Sequence, residues 1–561
     1  MKTTIKRTVS VIALVLAVIL IATSCSSDTA PTATPAPGGS TASGSGSSSA
    51  SQADDGPLTP YAEPITISWA VQASQVQKFF DGDTYDDNRW SRRIKEDLNI
   101  DLEVAFSADI STDAFRNRIN VALASGDLPD IIRWGERTWF QQAHEANYLY
   151  DLTDLFEQYA TPGVKDYIEH YPGGFQGATI NDRLYAFPSM VDNFHQAVYL
   201  WIRDDWLANS GKEAPKTVED MVELARIFTS GDGSTYGLGL NQKLTQANFG
   251  NIAGLVSAFG APVREQAVYY RDADGKMAHG WVQPGVKDAL AILRDMYAEG
   301  LIDPEFVVKD GGMLEPDIAT GKIGMMYHMN WGTWYPYNIT FEADGVITRP
   351  YPIPTAPGHD YKVGIDSNEA PEYLFMLNAN SAHPEAFMKI LNLYQQVVYE
   401  SPDPDDFQDY WADEQYRLCP VFVPIPNELY APQLLPALSA DDRSGLSPGV
   451  TPFFDWVKGF EAGTETNPNA YGTWGQMFSR GSMAVALEYK DQGRLVQSVM
   501  ASERPDIWFQ NNSIFENMME TTFTDIITGV RPLDAFDQFV TDWYNNGGQQ
   551  TLDELERMYP N

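Results

Sequence analysis

Residues Ala122–Trp134 read "ALASGDLPDIIRW", and how this stretch is read decides the fold. Phe115, Ile119 and Leu123 precede or enter it at helical spacing, so a helix is expected after "STDAF", with Ser111 or Thr112 as its N-cap. Gly126 then stands where a helix closes in the left-handed conformation, which only glycine adopts without steric cost. Pro129 keeps helix from resuming, and "DII" is expected as a short buried strand from which Arg133 and Trp134 surface.

The same alternation recurs along the chain. "ITISWA" (Ile65–Ala70) and "IDLEVAF" (Ile100–Phe106) read as strands, with "RWSRRIKEDLN" a helix between them. "TVEDMVELARIFTS" and "GVKDALAILRDMYAEG" read as helices, the second closing at Gly300. "KIGMMYH" and "PEYLFMLNA" read as buried strands, and "SAHPEAFMKILNLYQQV" as the helix after the latter. Strands alternating with helices predict an α/β fold, and 561 residues are too many for a single core.

The formal net charge is −38; without Lys2, Lys6 and Arg7 it is −41, from 35 basic and 76 acidic residues. A surface this negative repels nucleic-acid phosphates and anionic lipid headgroups, which excludes a nucleic-acid partner. Fourteen Trp and 28 Tyr supply flat amphipathic rings, which serve cores and sugar-stacking platforms alike. Seven His, two Cys and no His-Glu-x-x-His leave little from which to build a zinc site.

The first 24 residues join a basic start, "MKTTIKR", to the apolar "TVSVIALVLAVILIA", and so read as an export signal. "ATSC" at Ala22–Cys25 resembles a bacterial lipobox, which implies cleavage before Cys25 and lipidation of that residue; the alternative is an uncleaved membrane anchor. Residues 25–60 are Ser, Thr, Ala, Gly and Pro with little to bury, and are expected to be a disordered tether. With Cys25 lipidated, Cys419 has no disulfide partner and is expected as a small buried hydrophobe.

"ALASGDLPDIIRW" also resembles the Ala-x-Gly-x-x-Pro-Asp-Ile segment of extracellular solute-binding proteins, the receptors of bacterial ABC importers. The similarity is to the sugar-binding family that includes maltodextrin-binding protein. "LYAFP" (Leu184–Pro188), "LWIRDDWLANSGKEAPKTVEDMVELARIF" (Leu200–Phe228), "YAEGLIDPEF" (Tyr297–Phe306), "ATGKIGMMYHMNWGTW" (Ala319–Trp334), "YPIPTAPG" and "AHPEAFMKILNLY" follow in the family's order. The tail from Glu520 to Gly548 resembles a long lipoprotein subgroup from Gram-positive bacteria. The resemblance implies a two-lobed periplasmic-binding-protein-like fold of type 2. In it, 61–188 with about 375–430 would form one lobe, and 189–374 with about 431–561 the other.

It implies a receptor and not an enzyme: a monomer, lipid-anchored at the outer face of the cell membrane, that passes a carbohydrate, an oligosaccharide, to membrane permease subunits without a cofactor. Trp134, Glu136 and Arg137 fall where the family places sugar contacts, and Trp331 and Trp334 where it places an aromatic platform. For each Trp the alternative is packing. Asp192 and Asn193 follow the crossing and are contacts or turn residues; Phe249 and Asn251 are contacts or helix-packing residues. Arg203 reads as an ion-pair partner. The acidic loops "SGDGSTYGL" and "DGDTYDDN" lack the spacing of a calcium loop, so no metal is expected. A glycan hydrolase would need paired carboxylates, which 76 acids supply by chance, and a glycan sensor partnering a membrane kinase would look the same in sequence.

Overall fold

Nine strands build the two main sheets of the computed structural model. In chain order they are β1 (Ile65–Ala73), β2 (Ile100–Asp109), β3 (Ile131–Trp134), β4 (Phe187–Ser189), β5 (Tyr199–Arg203), β6 (Tyr236–Leu238), β7 (Ile323–His328), β8 (Thr348–Tyr351) and β9 (Tyr373–Leu377). The structure describes residues 56–560 except 75–76, 110–113, 191–196, 265–267, 366–370, 372, 413, 424–426 and 501–503. The export signal, Cys25, most of the tether and the Ser111/Thr112 cap therefore lie outside the described residues.

The first sheet runs β2-β1-β3-β9-β4. β1 lies parallel to both β2 and β3, with Ile65 opposite Ile100 and Trp69 opposite Ile131. Each parallel step needs a crossover, and a helix supplies it. Arg89–Leu98 joins β1 to β2; Asn88 accepts from the Ser91 amide while the Ser91 hydroxyl accepts from the Asn88 amide, a capping box that satisfies two end groups of the helix. Ala114–Ser125 joins β2 to β3, burying Phe115, Ile119 and Ala122, and Gly126 follows at φ +72°, as expected. Trp90, Ile94 and Leu98 from the first helix bury on the same core.

The second sheet runs β8-β5-β7-β6, with β5 antiparallel to both neighbours and β7 parallel to β6. Helix Val218–Phe228, opened by a Thr217–Asp220 capping box, and helix Pro284–Ala298, followed by Gly300 at φ +76°, flank it. Every residue of β7 is buried, as its apolar run requires.

The order of β9 explains the architecture. The chain completes β1–β4, leaves to build β5–β8, and returns 184 residues after β4 ends to slot β9 between β3 and β4, antiparallel to each. Helix Glu385–Gln395 then packs behind the first sheet, every residue from Ala386 to Tyr394 buried. The fold is α/β and two-lobed, each sheet flanked by helices and the halves joined by crossings. The described residues, all within Asp54–Asn561, form one compact unit.

The return of β9 corrects one expectation. Arg133 and Trp134 do not surface after a three-residue strand; both are part of β3 and are 3% and 8% exposed. Phe375 pairs opposite Arg133 and Leu374 opposite Trp134, extending the ladder through the two residues expected to leave it. Cys419 is free and fully buried, its thiol directed at the Val421 carbonyl.

Candidate functional site

At the end of β3 the chain turns at Gly135 into helix Arg137–Glu145. The Trp134 ring lies tilted on Phe115, centroids 5.2 Å apart, within the core. Glu136 pairs with Arg116 at 2.7 Å, and the Arg137 guanidinium lies over the Phe140 ring at 4.9 Å. Arg133 is held by Gln72, which accepts from its Nε at 3.1 Å and donates to its carbonyl at 2.7 Å, and its guanidinium sits above the Tyr373 and Phe422 rings.

The second half contributes the loop that leaves β7. His328 anchors it: Nδ1 accepts from the Met329 amide and Nε2 faces the Tyr335 carbonyl at 2.9 Å, so Nε2 carries the proton. Trp331 stands edge-on to this imidazole at 4.5 Å, and Phe249 stacks on it at 5.5 Å. Trp334 donates from Nε1 to Gln476 at 2.9 Å. It lies flat on helix Pro468–Met477, where a Cβ at Gly472 would come within 2.5 Å of the indole; glycine there is what lets the ring approach the backbone. Tyr335 donates to Glu315, whose carboxyl burial holds above its ordinary range, with nearby Asp310 adding to the shift.

Between the two lies a segment that sequence reading passed over. After helix Pro404–Tyr410 the chain places Trp411 on Phe407, stacked at 4.8 Å, nearly parallel to Tyr416 at 6.2 Å. Tyr416 meets Phe422 at 5.1 Å, and Phe422 meets Phe375 of β9 at 5.0 Å. In the other direction Trp411 stands edge-on to Trp334 at 6.2 Å and 80°. A series of rings thus runs from the first sheet to the loop after β7, and three of them, Trp334, Trp411 and Tyr416, are only partly buried, as is Trp331 on the same loop as Trp334. Glu414 bonds Arg417 and, at 3.2 Å, the Tyr416 hydroxyl. The signal in sequence was "YWADEQYRLCPVF", Tyr410–Phe422, whose aromatic spacing fits neither helical nor strand period.

The expected residues therefore divide. Trp331 and Phe249 come together at His328, Trp334 of the same loop turns to helix Pro468–Met477 and Trp411, and Trp134, Glu136 and Arg137 cluster at the end of β3. Asn251 is turned inward: it accepts from the Ala253 amide at 2.9 Å and donates to the Ala247 carbonyl at 3.0 Å, which orders the start of helix Ala253–Ala258. Asp192 and Asn193 lie outside the described residues. Arg203 pairs with Asp205 at 2.6 Å, as read. In "SGDGSTYGL" the Asp232 carboxylate takes the Ser230 hydroxyl and the Ser234 amide, and in "DGDTYDDN" Asp83 and Asp87 both hold Arg92.

Residues 62–396 match the family described as bacterial extracellular solute-binding protein, more than half of the chain. Lipoprotein LipO of Bacillus subtilis (strain 168) is 24% identical over 233 residues, 40% of this chain and 43% of that one. The fructooligosaccharide ABC transporter substrate-binding protein FusA of Streptococcus pneumoniae serotype 4 (strain ATCC BAA-334 / TIGR4) is 25% identical over 244 residues, again 40% and 43%. These matches span less than half the length of either relative. Among solved structures, the alginate-binding protein AlgQ2 without calcium ion superposes with a TM-score of 0.60 at 15% identity, over 90% of this chain and all of that one. At that identity the likeness concerns the fold.

Proposed function

The chain belongs to the bacterial extracellular solute-binding protein family, and from that premise we propose that it is a receptor which grips an oligosaccharide between its two halves and delivers it intact to the permease of an ABC importer. The observation that carries this reading is the series of partly buried rings, Trp334 from one half with Trp411 and Tyr416 from the other, beside which Trp331 stands on the same loop as Trp334. Pyranose and furanose C–H faces stack on such rings, and the carboxylates beside them accept from sugar hydroxyls. The likeness to FusA, a fructooligosaccharide-binding protein, supports a carbohydrate ligand.

Lobe boundaries in this proposal follow the crossings, with 61–188 and about 375–430 on one side and 189–374 and about 431–561 on the other. Trp134 takes a packing role, while Glu136, paired with Arg116, and Arg137, over Phe140, are kept as candidate contacts at the end of β3. Phe249 backs the platform through His328. Ligand closes the halves because its contacts to both sides exist together only in the closed form. A lipid on Cys25 and the tether would hold this monomer at the outer face of the membrane, and no bond in the cargo is broken.

Thermal unfolding of residues 26–561 against a panel of oligosaccharides tests the reading. A ligand at one hundred times its Kd should stabilise the fold by about 2.7 kcal/mol, and chromatography should recover it unchanged. No stabilisation by any glycan, or recovery of shortened products, overturns it.

A further inference from the structure

The charged groups that touch the rings carry information on the kind of sugar they accept. One carboxylate lies against the ring series, Glu414, bonded to the Tyr416 hydroxyl, and a second, Glu315, is bonded to the hydroxyl of Tyr335 in the loop after β7. Tyr335 in turn stands edge-on to Phe249, 5.7 Å away, within the group around His328. Asp310 lies close enough to Glu315 to raise its pKa. The guanidinium above the Tyr416 ring, that of Arg417 at 5.2 Å, is bound by Glu414. At the end of β3, Arg116 is likewise bound by Glu136. Arg133 is deeply buried, bonded to Gln72 and seated over two rings, so it is presented to the first half's interior and not to a ligand.

A uronic-acid chain brings one carboxylate per residue and needs guanidinium or ammonium groups free to receive it. Here the guanidinium over the Tyr416 ring is already neutralised by Glu414, and that acid would meet a second set of negative charges at short range. Hydroxyl groups have the opposite need: carboxylates accept from them without a counter-charge. Resting on the carbohydrate reading above, we infer that this site takes an uncharged, hydroxyl-rich oligosaccharide and rejects uronates, with Glu414 as the residue that sets the choice by occupying Arg417.

Calorimetry on residues 26–561 tests this with neutral fructo- and gluco-oligosaccharides and with oligogalacturonates of equal length, each at 20 mM and about 300 mM salt. The inference expects a neutral oligosaccharide to bind with an affinity that salt barely changes, and the oligogalacturonates not to bind. In Glu414→Gln the amide keeps the side chain's shape but releases the guanidinium, so oligogalacturonate affinity should rise by about tenfold or more and fall again with salt. Glu414→Asp, which keeps the charge, should not show that gain. Wild-type protein that prefers oligogalacturonate, or a Glu414→Gln variant whose choice of ligand is unchanged, overturns the inference while leaving the carbohydrate reading in place. If neither class binds, the carbohydrate reading itself falls, and this inference with it.

Discussion

Trp134 and Trp411 are both indoles that follow a short regular element, and the structure treats them in opposite ways. Trp134 ends a strand whose neighbour β9 continues past it, with Phe115 from the crossover helix laid on its face, so the ring belongs to the core. Trp411 follows a helix and lies stacked on Phe407 on one side and edge-on to Trp334 on the other, with part of its surface open. A tryptophan at the end of a strand is thus no platform merely by position. What lies beside the strand decides, and here that is a strand from more than two hundred residues later.

Four measurements would break or sharpen this contrast. The largest effect is expected at Trp134: replacing it with Ala leaves a cavity against Phe115 and should cost about 3–5 kcal/mol of unfolding free energy in a denaturant titration. A loss below about 1 kcal/mol would return Trp134 to the surface group. Trp411→Ala should do the reverse, weakening oligosaccharide binding by about 1–3 kcal/mol in calorimetry, by analogy with base stacking on aromatic rings, while lowering stability less than Trp134→Ala does. Equal affinity in wild type and variant would remove Trp411 from the site.

Gly126→Ala comes next. At φ +72° a Cβ is strained, and it would also sit 2.9 Å from the Tyr148 hydroxyl, so about 1–2 kcal/mol should be lost with ligand affinity intact. The smallest effect at neutral pH belongs to His279, another ring of the buried class, stacked on Trp543 at 4.9 Å. Burial lowers its pKa from 6.5 to about 3. Between those values the unfolded chain binds a proton that the folded chain does not, so this histidine makes stability fall as pH drops from 6.5 towards 3. His279→Phe should leave Tm at pH 7.5 nearly unchanged and flatten the decline of Tm between pH 6 and 4. An identical slope in both proteins would show that the ring is charged in the fold.

The elements with clear periodicity were readable in advance: β1, β2, β7, the helices with spaced apolar faces, and the glycine ends at Gly126 and Gly300. The candidate site was readable only in its second half. Trp331 and Trp334 follow an apolar strand within one local segment, so their neighbourhood could be inferred, whereas Trp411 and Tyr416 sit in irregular backbone whose period points to no face. Asn251 was a candidate by position, yet its amide is spent on two backbone groups of its own turn.

Local chemistry therefore determined what the sequence could determine alone: which segments are helix or strand, where left-handed glycines end them, the acidic surface, and the α/β class. Those properties depend on residues within a few positions of one another, and near neighbours are fixed by the chain itself. Tertiary structure alone decided that β9 would return between β3 and β4 and bury Trp134, that Gly472 would lie under Trp334, and that Trp411 would meet Trp334. Burial is a property of whatever packs alongside, and a pairing partner drawn from the far end of the chain leaves no trace in the local pattern it completes.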